Sequence, residues 1–240
     1  MHFYRILQPF RAITLDLDNT LYNNHPIINQ AESESISFLQ KYHPALLTLQ
    51  QKDYNRTRTL LKIVSPNIPH NANYLRWESL RITLLNAGLT KNLAESAADS
   101  ATDIVIYWRN KINISFKTHN ILSALSSKWP LIAITNGNAN PNSCGLHKYF
   151  YDILRAGVDG RAKPHTDMYQ LASKRLGLPC KNILHVGDDL NTDIKGAIFA
   201  GMQSCWINRY NHYINDYVTI NKKFLPNFKI STLVSLTKFL

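Results

Sequence analysis

The feature that most constrains this chain is a set of short apolar runs at residues 12–17, 131–135, 183–187 and 204–207, each ending in polar residues or glycine. Runs of this length bounded by turn residues read as buried strands. Helical patterns lie between the later ones. Residues 118–128 offer Thr118 as N-cap and set Ile121, Leu122 and Leu125 on one face. Residues 166–176 are closed by Gly177 and Pro179, and 191–200 lead into Gly201. Alternating strand and helix predicts an α/β fold with a parallel, Rossmann-like sheet covered by helices.

Residues 25–112 break this rhythm. They contain no convincing strand but four helical segments, at 27–42, 52–64, 74–87 and 92–110. The last sets Ala94, Ala97, Ala98, Ala101, Ile104, Val105 and Trp108 along one stripe. The expected organisation is a sheet core made of 1–24 and 113–240, with 25–112 as an all-helical insertion after the first strand. A chain of 240 residues buries roughly 70–75% of its unfolded surface without staples. Cys144, Cys180 and Cys205 form no C-x-x-C pair and no zinc-ligand spacing, which fits a reduced cytoplasmic setting. Arg5, Gln8, Pro9 and Arg11 interrupt any leader-like apolar run, and no stretch approaches the roughly 20 apolar residues of a membrane span. No membrane association is expected.

The net charge is +11, but the basic residues are scattered, with Lys222–Lys223 the longest contiguous pair. Nucleic-acid arms concentrate their charge and interleave aromatics with it, so no nucleic-acid partner is expected. An anionic small substrate accounts for the sign equally well.

In open parallel sheets, ligands sit beyond the C-terminal ends of the strands. The first run is followed by Asp16, Asp18 and Thr20, and the second by Thr135, Asn136 and Gly137. A strand expected at 153–156 leads to Gly157 and Lys163, and the run at 183–187 leads to Asp188, Asp189 and Asp193. Four strand ends thus deliver carboxylates, a hydroxyl, an amide and a lysine to one edge. Carboxylates clustered at low dielectric call for a divalent cation, and hard oxygen ligands favour Mg²⁺. A cation, a lysine and backbone N–H groups around Thr135 and Gly137 would hold a phosphate group. Asp16 and Asp18 take different roles, nucleophile and proton handler, if the chain bends immediately after Asp16.

The motifs "DLDNTL", "ITNG", "AKP" and "GDDLNTD" resemble, in order, the four motifs of the haloacid dehalogenase (HAD) superfamily. The resemblance implies the HAD fold, with Asp16 as the nucleophile that forms an aspartyl-phosphate and Asp18 as general acid and then base. It implies phosphate binding by Thr135, Asn136 and Lys163, and Mg²⁺ ligation by Asp16, the Asp18 backbone carbonyl and Asp188. Thr20 supports the site, and Asp193 orients Lys163 or a water on the ion. Residues 25–112 become the family's cap. The stretches "HFYR", "KYHPAL", "WPLIAITNGNANP", "DMYQLA", "ILHVGDDL" and "GMQSCWI" are similar to a bacterial branch of this superfamily. That branch is associated with riboflavin biosynthesis, acting on 5-amino-6-(5-phospho-D-ribitylamino)uracil and on FMN. Asn19 departs from it, because an acidic residue is frequent there.

Several residues admit a second reading. Trp77 and Arg81, one helical turn apart, either meet a substrate ring or are a core tryptophan beside a surface arginine. Asp189 reads as a structural residue at a helix N-terminus, and His185 as packing within a strand. Tyr22, Asn23 and Asn24 either touch substrate or make a turn. The alternative activities are a general sugar-phosphate phosphatase or a phosphomutase. A dehalogenase is disfavoured because it has no need of Asp18, and a non-catalytic module because no nucleophile or lysine is lost.

Overall fold

The computed structural model describes residues 1–65, 68–138, 142–208 and 224–240; the Lys222–Lys223 pair lies outside them. The apolar runs form strands β2 (Ala12–Leu15), β3 (Leu131–Thr135), β5 (Ile183–Gly187) and β6 (Gln203–Ile207), with every residue buried. Burial on both faces is what a continuous apolar run in a parallel sheet requires. Strand β4 spans Asp152–Arg155, and the short β1 (His2–Phe3) and β7 (Phe228–Ile230) extend the other edge. Among the described residues the sheet order is β1-β7-β6-β5-β2-β3-β4, parallel throughout except that β1 runs against β7.

The first strand ends at Leu15, two residues before the apolar run does. Asp16 keeps one ladder-like bond, its N–H donating to the Val186 carbonyl at 2.9 Å. The chain then folds into a compact turn, in which Asn19 takes a left-handed φ of 58° and the Leu21 N–H donates to the Leu17 carbonyl. Asparagine tolerates that conformation better than most residues, which gives the departure at position 19 a backbone reason.

Two helix starts differ from expectation. Helix α5 is Phe116–Ser126 and its N-cap is Ser115, whose Oγ accepts from the Thr118 N–H, so Thr118 lies inside the first turn. The Thr118 hydroxyl instead donates to the Leu21 carbonyl, tying α5 to the turn after β2. The segment expected as one helix over 191–200 begins as a π-helical turn at Leu190–Ile194 and becomes α7 at Lys195–Phe199. Helix α6 (Asp167–Leu176) stops at Gly177, which has a left-handed φ of 62°.

Contacts divide the chain into two compact units: Met1–Asn23, Asn113–Gly137 and Gly145–Leu240 carry the sheet, and Asn24–Ile112 with Asn138–Cys144 form the other. The second is built from α1 (His25–Tyr42), α2 (Gln51–Val64), α3 (Ala72–Asn86) and α4 (Lys91–Arg109). Its core joins Leu39, Tyr54, Leu80 and Leu84 to the fully buried alanines 94, 97, 98 and 101 of α4. Side chains this small let α1 and α3 pack closely on α4, and the Ser35 hydroxyl of α1 donates to the Ala101 carbonyl. Asn138 is drawn to this unit by a hydrogen bond to Asn73. Among the described residues no helix is long and apolar enough to cross a membrane.

Candidate active site

Beyond the C-terminal ends of β2, β3 and β5 lies a cavity of about 200 Å³. Asp16, Asp18, Thr135, Asn136, Lys163, Asp188 and Asp193 line it, together with Asn19, Gly137, Asp189 and Thr192. The structure therefore gathers at one place the residues that follow four separate strands.

Lys163 sits at the centre, 4% exposed. Its ammonium donates to Asp16 Oδ1 at 2.6 Å and to the Ile134 carbonyl at 2.8 Å, and pairs with Asp193 Oδ1 at 2.7 Å. Three donors meet three acceptors, so the buried cation is fully satisfied. Burial disfavours its charge, but Asp16 and Asp193 outweigh that and raise its pKa. Its backbone is held as firmly: the Lys163 N–H donates to Asn136 Oδ1 at 2.8 Å, and Asn136 Nδ2 donates to the Lys163 carbonyl at 3.0 Å. Both polar atoms of the Asn136 side chain are engaged in clamping the lysine's backbone. Thr135 Oγ1 accepts from the Gly137 N–H at 2.9 Å and shapes the adjoining turn.

Asp193 returns to the strand end because the π-helical turn is wide, with the Asp193 and Ile194 N–H groups both donating to the Asp189 carbonyl. Asp189 caps that turn, its Oδ1 accepting from the Asn191 and Thr192 N–H groups at 2.7 Å each. The carboxylate of Asp193 lies against Gly187, where any Cβ would collide with it. Its Oδ2 accepts from the Asp189 N–H, and its Oδ1 lies 3.3 Å from His185 Nε2. His185 Nδ1 in turn lies 2.9 Å from the Thr14 hydroxyl, and both residues are wholly buried. Burial lowers the His185 pKa. A neutral ring beside a carboxylate places its proton on Nε2, with Thr14 donating to Nδ1. Burial opposes charge on Asp193 as well, yet Lys163 and His185 hold its carboxyl well below the usual range.

Asp18 is oriented from its own turn, its Oδ1 accepting from the Tyr22 hydroxyl at 2.7 Å. The Thr20 hydroxyl lies 3.1 Å from Asp16 Oδ2 and 3.3 Å from Asp188 Oδ1. With one proton to give, it serves one carboxylate at a time.

Carboxylate oxygens of Asp16, Asp188 and Asp193 lie within 4.8 Å of one another. Among the described residues a single ammonium, that of Lys163, faces this cluster, paired with Asp16 and Asp193. Burial, with Asp193 and Asp189 nearby, pushes Asp188 up to about 7 despite Lys163. Burial and the charges of Asp193, Asp188 and Asp18 likewise raise Asp16 against the pull of Lys163. An all-oxygen donor set carrying excess negative charge fits a hard divalent cation. Both oxygens of Asp193 and both of Asp16 have protein partners, while Asp188 meets the Thr20 hydroxyl at 3.3 Å through Oδ1. The Asp18 contribution expected from the sequence is a backbone carbonyl, a separate kind of ligand.

Trp77 and Arg81 belong to the helical unit and have partners there. Trp77 Nε1 donates to Asp99 at 2.6 Å and its ring packs on that unit's core, stacked beside Tyr74. Arg81 forms a two-pronged bond to Glu78, at 2.7 and 2.6 Å, and lies 5.7 Å from the Trp77 ring centroid. Sequence reasoning had no sign of three contacts: the Asn136 clamp, the Tyr22–Asp18 bond and the His185–Asp193 bond. The residue types flanking the motifs were the available signal, without direction.

Comparison with known proteins bears on the family and the fold. Residues 10–201 match the haloacid dehalogenase-like hydrolase family. The chain is 45% identical over 240 residues to the 5-amino-6-(5-phospho-D-ribitylamino)uracil phosphatase YigB of Escherichia coli, covering all of both chains. It is 23% identical over 251 residues to the human N-acylneuraminate-9-phosphatase, covering 98% of this chain and 95% of that one. Among solved structures, a 2-haloacid dehalogenase from Pseudomonas syringae superposes with a TM-score of 0.84 at 29% identity, covering 95% of this chain and 97% of the other. The HAD-hydrolase YfnB of Bacillus subtilis, solved with magnesium, shares the fold at a TM-score of 0.69 and 18% identity, covering 97% and 99%. With the family matched over most of its length and a full-length relative at 45% identity, this chain belongs to the haloacid dehalogenase-like hydrolases.

Proposed function

We propose that the protein is a Mg²⁺-dependent phosphomonoester hydrolase that works through an aspartyl-phosphate on Asp16. The observation that carries this reading is the second aspartate. Asp18 lines the same cavity as Asp16 and is oriented by Tyr22, as a proton donor and acceptor must be. A dehalogenase has no leaving-group oxygen to protonate and gains nothing from that arrangement.

In this reading an Asp16 oxygen attacks phosphorus while Asp18 gives its proton to the departing oxygen of the alcohol. The Asp18 carboxylate then takes a proton from water, whose oxygen attacks the phosphorus of the acyl phosphate and releases inorganic phosphate and free Asp16. Lys163 aims Asp16 in the resting site, and a phosphoryl oxygen takes over that bond as the substrate arrives. Asp193 and the Ile134 carbonyl retain the ammonium meanwhile. Asn136 acts as a positioning residue through the Lys163 backbone, and His185 acts likewise through Asp193. Thr135 and the adjoining N–H groups receive the remaining phosphoryl oxygens. Asp16, Asp188 and the Asp18 carbonyl would hold Mg²⁺, and its positive charge would let a phosphate dianion approach the clustered carboxylates. The helical unit serves as the cap, and the three cysteines, which form no disulfide, support a reduced, cytoplasmic setting.

The full-length relative supports 5-amino-6-(5-phospho-D-ribitylamino)uracil as substrate, and FMN, which the motif resemblance implies, is the second ring-bearing phosphate of this reading. Phosphate release across a panel of phosphorylated metabolites tests this. The ribitylaminouracil phosphate and FMN are expected to show higher kcat/KM than simple sugar phosphates. The reverse order would replace this substrate assignment with a general sugar-phosphate phosphatase.

A further inference from the structure

Asp188 is fixed less by its carboxylate than by its backbone. Its Oδ1 meets the Thr20 hydroxyl at 3.3 Å, and that hydroxyl lies closer, at 3.1 Å, to Asp16. The Asp188 carbonyl, in contrast, accepts from the indole Nε1 of Trp206 at 2.8 Å. The N–H of the same peptide unit, that of Asp189, donates to Asp193 Oδ2 at 3.1 Å. A peptide unit is planar, so two bonds at its opposite ends fix how it lies. The direction in which the Asp188 side chain leaves the chain follows from that plane.

Trp206 reaches this carbonyl from the neighbouring strand. It belongs to β6 and stands in register with Gly187, the last residue of β5. That register sets the indole beside the first residue past the strand. The ring is buried, 8% exposed, and forms an apolar cluster with Ile194, against which Leu190 packs. Leu190 and Ile194 are the two ends of the π-helical turn that carries Asp193. Lys229, the register partner of Trp206 on β7, sets its ammonium 4.8 Å from the ring centroid. A leucine or phenylalanine would serve the packing. The indole adds a donor, and that donor meets the backbone of a residue lining the strand-end cavity.

We infer that Trp206 is a positioning residue for the metal site, holding the Asp188 backbone by a hydrogen bond and the turn that bears Asp193 by packing. Trp206 lies outside the four motifs and is not among the residues lining the cavity, so it acts through Asp188 rather than on the ion. The inference rests on the hydrolase reading for the ion and adds to it the residue that aims one ligand.

Mg²⁺ binding to the full chain tests it without using turnover. The midpoint of thermal unfolding is followed at pH 8 over a series of Mg²⁺ concentrations, after EDTA treatment and dialysis. Wild type is compared with Trp206→Phe and with Trp206→β-(3-benzothienyl)alanine, which replaces the N–H by sulfur and nearly keeps the shape. The wild-type midpoint should rise with Mg²⁺. The sulfur isostere should need about 10-fold more Mg²⁺ for the same rise, the lower end of what removing a partner behind a metal ligand costs. Trp206→Phe should need at least as much. Each rise is taken from the protein's own metal-free midpoint, so lost packing alone does not move the Mg²⁺ requirement. Should Trp206→Phe not fold, the isostere decides by itself. A wild-type Mg²⁺ response in the isostere overturns the inference and leaves the hydrolase reading standing. No rise in wild type removes the ion from the hydrolase reading, and the inference falls with it.

Discussion

The two units of the molecule bury charge in opposite proportions. At the sheet edge, Asp16, Asp188 and Asp193 face, among the described residues, the single ammonium of Lys163. In the helical unit, Arg58, Arg76 and Arg109 line one cavity together with Glu32, which pairs with Arg76. The difference lies in how the excess is relieved. Carboxylates accept protons, and Asp188 does so near pH 7. Arginines have no such outlet. The carboxylate cluster is therefore tuned by pH and fits a hard divalent cation, while the arginines keep their charge across the ordinary pH range.

The largest expected effects break the sheet-edge half of this comparison. Asp16→Asn replaces the attacking carboxylate with an amide and is expected to lower kcat by more than about 10⁴-fold, with no hydroxylamine-sensitive phosphate on the protein. Near-native turnover in that variant would remove the covalent mechanism. Asp18→Asn should cost about 10²–10⁴-fold, because it removes proton transfer while Asp16 remains. Its loss should shrink for esters whose leaving group needs no proton, such as p-nitrophenyl phosphate. An equal loss on every ester without accumulation of the phospho-enzyme would assign Asp18 to structure instead, because loss of the water-activating base traps the aspartyl-phosphate.

A smaller effect sharpens the comparison by asking what holds the excess charge in place. His185 bonds Asp193, which pairs with Lys163. His185→Leu is expected to lower kcat by about 10–100-fold with KM little changed, as for other residues that orient a reacting group through a neighbour. His185→Gln, which keeps an N–H donor, should recover part of it. Equal loss in both variants, tracking their stability, would reduce His185 to packing.

The smallest effect concerns pH. The Asp188 carboxyl titrates near 7 in the folded, metal-free chain and close to the ordinary carboxylate value when unfolded. Between those values the native state holds the extra proton, so this group's contribution to stability declines as pH rises from about 4 to 7. Mg²⁺ requires the ionised form, and protons compete with it. The rise in unfolding midpoint on adding Mg²⁺ should therefore be larger at pH 8 than at pH 5.5. A rise independent of pH would place the ion away from Asp188.

Much of the sheet was legible because burial on both faces writes strands as unbroken apolar runs, and β2, β3, β5 and β6 each carry one. Strands β1 and β7 were not, since two and three residues leave no periodicity to read. The N-cap of α5 went to Ser115 because the Thr118 hydroxyl had a tertiary acceptor at Leu21, which no local pattern announces. In the site, residue types and their order after each strand were readable, whereas pairings across long separations were not. Asn136 bonds a backbone 27 residues away, and His185 faces Thr14 across 171. The arginine cavity draws on four helices whose individual sequences show only scattered charge.

Gly187 carries a consequence for how this chain can change over time. A Cβ there would occupy the space of the Asp193 carboxylate, so even the smallest side chain displaces the group that anchors Lys163. Gly196 is similarly closed, by the ring of Tyr169, whose hydroxyl donates to the Thr192 and Asp193 carbonyls. The sequence is crowded with Asn, Ile and Lys, and exposed positions accept most substitutions at little cost. These two cannot absorb one added carbon, and they mark where genetic drift meets the geometry of the site.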